Sequence, residues 1–185
     1  MSLFPKRYAD TVARLRVTFG LLLIPAFAWF ADPDTSSLVA GLPISALGLG
    51  LRAWATGHLE KNRELTQSGP YAYVRNPLYL GTLLAVVGLV IAGRSWLLAA
   101  LFAVVFLFMY LPAIELEEQH LASLFPEFRA YAQRVPGLWP TLHPIKSDRS
   151  FRWFLYVRNR EYQALLGFAA AVVLLIAKVL VRRVP

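Results

Sequence analysis

Long apolar blocks alternate with short polar seams along this chain, and that alternation predicts its elements. The apolar blocks run from Val17 to Ala31, about Leu38 to Ala55, Leu78 to Ala92, Trp96 to Ile114 and Ala164 to Val181. A bilayer core of roughly 30 Å takes about twenty apolar helical residues, so blocks of this length and low charge read as membrane helices. The expected fold is all-α: a polytopic membrane helix bundle with about five spans. The block from Leu78 to Ala92 is short for a span, so it begins below the hydrocarbon edge or is wrapped by its neighbours. Val17 to Ala31 resembles a signal-peptide core with Ala26-Phe27-Ala28 as its cleavage site, but further spans follow, and an uncleaved first helix is expected. Asp32-Pro33-Asp34 ends it. Gly41, Gly48 and Gly50 dot the second block, where small residues let helices approach closely. The Gly48-x-Gly50 pair lacks the third glycine and the preceding strand of a dinucleotide fingerprint.

The seams carry the organisation. Gly93-Arg94-Ser95 is so short a link that the third and fourth spans must form an antiparallel hairpin. The start of the third span and the end of the fourth then lie at one level. The first holds Ser68 to Gly81, reading SGPYAYVRNPLYLG; the second holds Glu115, Glu117, Glu118 and His120. Asn76 is expected to cap the third helix with its side chain, Pro77 to occupy the first helical position, and Arg75 to lie beside the free N–H groups there.

Beyond the fourth span, Leu121, Leu124, Phe125 and Phe128 keep helical spacing, so the helix is expected to continue as an amphipathic stretch until Pro126 breaks or restarts it. Arg134 to Pro140 reads as extended, because its prolines bar helix. Phe151 to Tyr162 mixes arginines with aromatic residues and reads as a helix lying in the membrane interface. Residues 1–145 form the expected membrane domain, and 146–185 an interfacial helix plus a last membrane helix.

Composition sharpens the class. Hydrophobic residues make up 57% of the 185, and the mean hydropathy is +0.51. The net charge of +8 lies between spans and without a reading motif, so it indicates cytoplasmic loops against anionic lipid rather than nucleic acid. The N-terminus, the 57–77 loop and the 115–163 region share one side by alternation, and that side is expected to be cytoplasmic, as in a bacterial inner membrane. Lys178, Arg182 and Arg183 then break the rule if the last segment spans, and the alternative is a re-entrant helix. With no cysteine, disulfides, thiolate metal sites and thiol nucleophiles are excluded.

The two seams together place arginine, tyrosines, a helix start and carboxylates at one membrane edge. Carboxylates and tyrosine faces suit cations; the arginine and the helix start suit a carboxylate. A sulfonium methyl donor carries both charges. A nicotinamide phosphate cofactor is the alternative ligand. Glu117-x-x-His120 has the spacing of helical metal ligands, but no second such element exists, and no metal is expected.

SGPYAYVRNPLYLG, one hairpin, ELEEQHL and then FPEFRAYAQRVPGLWP resembles the isoprenylcysteine carboxyl methyltransferase and phospholipid methyltransferase superfamily over roughly residues 45–144. That family's Arg-His-Pro-x-Tyr-x-Gly motif and Glu-Glu pair fall on Arg75, Asn76, Pro77, Tyr79, Gly81, Glu117 and Glu118. The resemblance implies S-adenosylmethionine held near the cytoplasmic face by Gly69, Pro70, Tyr71, Arg75, Asn76, Tyr79, Glu117 and Glu118. It implies catalytic roles for Arg75, Glu117 and Arg134, the last orienting the substrate. It also implies methylation of a carboxylate or amine on a lipophilic molecule that enters from the bilayer, with no protein partner. Asn76 stands where the family has histidine; it keeps the expected capping role but does not titrate near neutrality. An NADPH-dependent sterol-type reductase and a non-enzymatic lipid-binding membrane protein are the rival readings.

Overall fold

The computed structural model describes residues 5, 8, 11 and 23–183. The basic N-terminal residues Lys6, Arg7, Arg14 and Arg16, and the start of the first expected span, lie outside the described residues. The described part is helical, with no strand among its residues. Residues 23–30 are helical (α1), followed by α2 (Thr35–Thr56), α3 (Pro77–Gly93), α4 (Trp96–Leu124), α5 (Phe128–Arg134), α6 (Trp153–Arg158) and α7 (Tyr162–Arg183). By length and apolar composition α2, α4 and α7 are each able to cross a membrane, and α3 is a shorter apolar helix.

Small residues decide how α2 and α3 meet. Gly41, Ser45 and Gly48 form one stripe, and Gly81, Ala85, Gly88 and Ala92 form the facing one. Their spacing of three and four puts each set on one helix face. A Cβ on Gly41 would strike the Gly88 carbonyl, and one on Gly48 the Ala85 amide. With the backbones this close, two serine hydroxyls bond across: Ser37 Oγ donates to the Ala92 carbonyl at 2.8 Å and Ser45 Oγ to the Ala85 carbonyl at 2.7 Å. In lipid, where apolar burial drives little, such contacts and hydrogen bonds hold helices together.

The α3–α4 hairpin forms as the short link requires. Arg94 takes a left-handed conformation (φ 47°) and Ser95 caps α4. At about 1.5 Å per residue the 29 residues of α4 reach well past a hydrocarbon core of about 30 Å. The fourth span therefore continues unbroken to Leu124, stops before Pro126 and restarts as α5. One turn of α4, Phe106–Tyr110, is a π-helix, and Pro112 follows it. Proline has no N–H for the carbonyl four residues back. That carbonyl, on Phe108, instead accepts from the Tyr8 hydroxyl at 2.7 Å.

The last helix runs from one end of the bundle to the other rather than folding back. Its N-terminal end carries Glu161 against Arg52, while at its other end Arg182 pairs with Asp32 and Lys178 Nζ donates to the Ala31 carbonyl at 2.6 Å. Asp34 pairs with Arg94 at that same end, and Leu175 packs with Ala31, Ala92 and Leu98. The basic residues there are matched by acids and helix-end carbonyls, so their charge is partly neutralised within the fold. Within Phe151 to Tyr162, the stretch expected to lie in the membrane interface, the chain forms the short helix α6, with Trp153 and Phe154 exposed.

Two outcomes test this arrangement. Gly88→Val forces α2 and α3 apart against backbone and lowers stability by about 2 kcal/mol or more, as overpacking does; thermal melts in detergent read the loss. The absence of native cysteine makes labelling clean. Single cysteines at Ser123 and Ser36 in sealed vesicles are expected to react with an impermeant maleimide from opposite sides.

Candidate active site

At the α5 end of the bundle the seams converge on a cavity of about 1090 Å³. Its lining includes Arg52, Thr66, Tyr71, Arg75, Asn76, Tyr79, Thr82, Tyr110, Glu117, Glu118, Tyr131, Asn159 and Glu161. The hairpin brings both expected halves together. The Tyr79 hydroxyl donates to Glu117 Oε2 at 2.9 Å, across 38 residues of sequence. Asn76 Nδ2 donates to Glu118 Oε1 at 2.8 Å, and Arg75 Nε lies 3.1 Å from that same oxygen.

Asn76 is a correction to the sequence reading. Its side chain makes no capping hydrogen bond to α3, and its ψ of 57° is not the extended backbone of a typical cap. The amide goes instead to Glu118 and to the Gly137 carbonyl at 3.2 Å. Magnitudes explain the choice: a cap is worth about 1 kcal/mol, whereas a hydrogen bond to a charged group contributes about 1.5–3 kcal/mol. With Asn76 buried, the carboxylate wins.

A strap completes this side of the cavity. Residues 136–145 run beside the seam, with Arg75 N donating to Pro136 O at 2.9 Å, Asn76 N to Gly137 O at 3.1 Å and Thr141 N to Tyr73 O at 2.8 Å. The stretch from Arg134 to Pro140, expected to be extended, is so only in part: Arg134 still belongs to α5, Val135 turns to extended backbone, and the residues after it are irregular and held by this backbone pairing. Beneath it Phe128, Tyr131 and Val135 form a small core with Leu65, Leu121 and Ile145. The Tyr131 hydroxyl donates to the Tyr71 carbonyl at 2.7 Å. Burial raises the pKa of both phenols, so each is a neutral donor.

Gly69 and Pro70 do not line the cavity. They start a 3-10 turn, Gly69–Ala72, that swings Tyr71 into the lining. Gly69 has φ +57°, and a Cβ there would lie 2.6 Å from the His58 ring. His58 is itself buried, with Nδ1 3.0 Å from Ser68 Oγ, so it packs the turn rather than facing the cavity. Arg134 is exposed on the last turn of α5 and is absent from the lining. Among the described residues, no group of three or more His, Asp or Glu side chains stands close enough to hold a metal ion.

Arg52 and Glu161 were missed from sequence. Arg52 Nε donates to Glu161 Oε1 at 2.6 Å and Nη2 to Oε2 at 2.9 Å. The signal was present: Arg52 is a charge inside the apolar block from Leu38 to Ala55, and ionisable residues within spans mark functional sites. Glu161 comes from the 146–185 segment, expected to be a separate unit. That segment also bonds to the end of α2 and the 57–64 loop, through Asn159 Nδ2 to the Thr56 and Leu59 carbonyls and through the Arg152–Glu60 and Arg149–Glu64 pairs.

Two buried polar atoms of the lining lack a hydrogen-bond partner, Thr66 Oγ1 and Arg75 Nε, the latter in ion-pair contact with Glu118 but outside hydrogen-bond geometry. Buried groups left so are unusual in proteins, and both stand where a polar partner in the cavity can reach them. With both charge signs, tyrosine faces and a volume at the upper end for small-molecule sites, the lining fits a zwitterionic, partly aromatic molecule such as a sulfonium nucleoside.

The structure thus defines an integral-membrane helical protein with a charged, aromatic cavity closed by a helical hairpin. The sequence profile of the phospholipid methyltransferase family matches residues 41–127, which include both halves of the cavity. A relative of Cupriavidus metallidurans, described as "Cobalt-zinc-cadmium resistance protein CzcN", is 34% identical over 164 residues, spanning 84% of this chain and 74% of its own. The "Nickel-cobalt-cadmium resistance protein NccN" of Alcaligenes xylosoxydans xylosoxydans is 34% identical over 144 residues, spanning 74% and 67%. No solved structure matches the chain significantly. The chain belongs to the phospholipid methyltransferase family, within the isoprenylcysteine and phospholipid methyltransferase superfamily.

His58 gives the turn a pH dependence. Burial, then the charge of Arg152, pushes its pKa below 6.5. The unfolded chain therefore takes up the proton first, so the stabilisation is full above about pH 6.5 and is lost as pH falls toward the lower folded value. Melting temperatures are expected to drop from pH 7.5 to pH 5.5, and to drop less in His58→Gln.

Proposed function

We propose that the protein is an integral-membrane methyltransferase that uses S-adenosylmethionine to methylate a carboxylate or amine on a lipophilic or amphiphilic acceptor. The single observation that carries this reading is the cavity that joins Arg75, Asn76 and Tyr79 to Glu117 and Glu118 across the hairpin. The family match supports methyl transfer over the sterol-type reductase alternative. Bound there, the cofactor supplies an electrophilic methyl group on a sulfonium.

The residues do the holding and aligning. Glu117 and Glu118 oppose the ligand's positive charge, with Tyr79 and Asn76 fixing their orientation. Tyr71, Tyr79 and Tyr110 present ring faces or hydroxyls beside it, and ring faces attract cations. Arg75 is engaged by Glu118 and by the Ala132 carbonyl at 2.8 Å, and in this reading its guanidinium takes the ligand's carboxylate. Gly69 and Pro70 contribute by setting Tyr71. Arg134, outside the lining, meets an anionic acceptor on approach. In-line displacement of this kind needs alignment and electrostatic support more than covalent help. We assign the cavity end to the cytoplasmic face, because it carries the basic loops while the far end pairs its own charges.

Calorimetry on purified protein tests the reading. S-Adenosylmethionine is expected to bind and NADPH is not. Glu117→Gln/Glu118→Gln is expected to weaken that binding by about tenfold to a hundredfold, from lost charge-assisted hydrogen bonds. Unchanged affinity in the double variant, or NADPH binding in its place, overturns it.

A further inference from the structure

The Arg52–Glu161 pair is left unused by that account. Its geometry is a fork on a planar carboxylate, with Nε and Nη2 at 2.6 and 2.9 Å from the two oxygens. The third nitrogen is anchored on α3, Nη1 donating to Thr82 Oγ1 at 2.5 Å. Such a guanidinium is pre-oriented for a carboxylate in a way a lysine is not. Two openings meet at Glu161. One is the cavity described above. The other is an apolar groove of about 290 Å³ between α2, α6 and α7, walled by Leu49, Gly50, Leu165 and Phe168. A Cβ on Gly50 would meet nothing within 4 Å, so the groove is open there.

We propose that Arg52 is the binding site for the carboxylate head of a single-chain lipophilic acid, whose chain lies in the α2–α7 groove, and that Glu161 is an internal stand-in which holds the site until that acid displaces it. This rests on the methyltransferase reading for its chemical outcome. An acid oxygen attacks the methyl carbon of the sulfonium donor; the C–O bond forms, the C–S bond breaks, the electron pair stays on sulfur, and no proton moves. The ester formed is neutral and no longer matches Arg52, so Glu161 returns to it and the product leaves to the bilayer. Arg52 is paired at every stage, as a half-buried charge requires, and Glu161, when displaced, faces the cavity it already lines. Since the chain exchanges one apolar surrounding for another, selection comes from the head group and from groove shape.

The test uses full-length protein in phosphatidylcholine vesicles. The probes are a C16 fatty acid with a mid-chain diazirine and the matched C16 alcohol, with labelled peptides mapped by mass spectrometry. The acid is expected to label residues 46–53 and 161–168 about tenfold more than the alcohol, the difference a charge-assisted pair provides. Gly50→Trp and Leu165→Trp, which fill the groove from opposite walls, each cut that labelling severalfold. Glu161→Gln weakens the internal competitor and raises it severalfold, whereas a merely structural tie predicts no gain. Equal labelling by acid and alcohol, labels spread over all lipid-facing helices, or no gain in a cooperatively folded Glu161→Gln protein overturns the proposal. Should that variant fail to fold, the two tryptophan variants decide. Calorimetry with S-adenosylmethionine on the same samples separates the two ideas. Acid labelling without cofactor binding keeps the Arg52 site and removes its methyl-transfer outcome; cofactor binding without acid labelling removes the Arg52 site alone.

Discussion

The near-contact of two helix backbones governs this structure. Where Gly41, Ser45 and Gly48 of α2 meet Gly88, Ala85 and Gly81 of α3, no side chain larger than a methyl or hydroxymethyl group intervenes. The register this sets carries directly into the cavity. Arg52 is the next position on the α2 stripe, and a Cβ on Gly81 would lie 2.6 Å from its Cγ. The arginine stem thus lies over a glycine and delivers its guanidinium to Thr82 and Glu161. A wider helix pair would leave that charge in lipid, at a cost of several kcal/mol.

From that pair outward, the site is assembled by polar groups that must find partners. The seam between α2 and α3 cannot be regular helix with Pro70 and a left-handed Gly69, so its backbone groups need bonds from elsewhere. The 136–145 strap supplies them, and the Tyr131 hydroxyl supplies another. The same demand fixes the carboxylates. Glu118 gathers Asn76 and Arg75, while Glu117 takes the Tyr79 hydroxyl. The cavity is therefore set by satisfied contacts around its rim, with Thr66 Oγ1 and Arg75 Nε the two buried atoms that make no hydrogen bond.

How much was legible from sequence depended on whether the signal was local. The apolar blocks and the two-residue link from Arg94 to Ser95 are local, and they foretold the spans, the hairpin and the meeting of Tyr79 with Glu117. The capping role of Asn76 was also a local inference. It failed because a carboxylate 42 residues away outbids the helix N–H groups. Arg52 was passed over because a single charge in an apolar block says nothing of its partner. Gly69 and Pro70 were read as ligand contacts, whereas they shape the turn that presents Tyr71.

Composition and spacing by themselves determined the membrane class, the helical fold, the hairpin and one line of site residues, because hydrophobic length and short links act within a few residues of chain. Tertiary structure decided what Asn76 bonds, that Glu161 closes the cavity on Arg52, and that α7 runs the length of the bundle with its basic end matched to Asp32 and the Ala31 carbonyl. Those outcomes turn on which buried polar group reaches which partner. That is a question of distance in space, and the order of residues along a chain does not contain it.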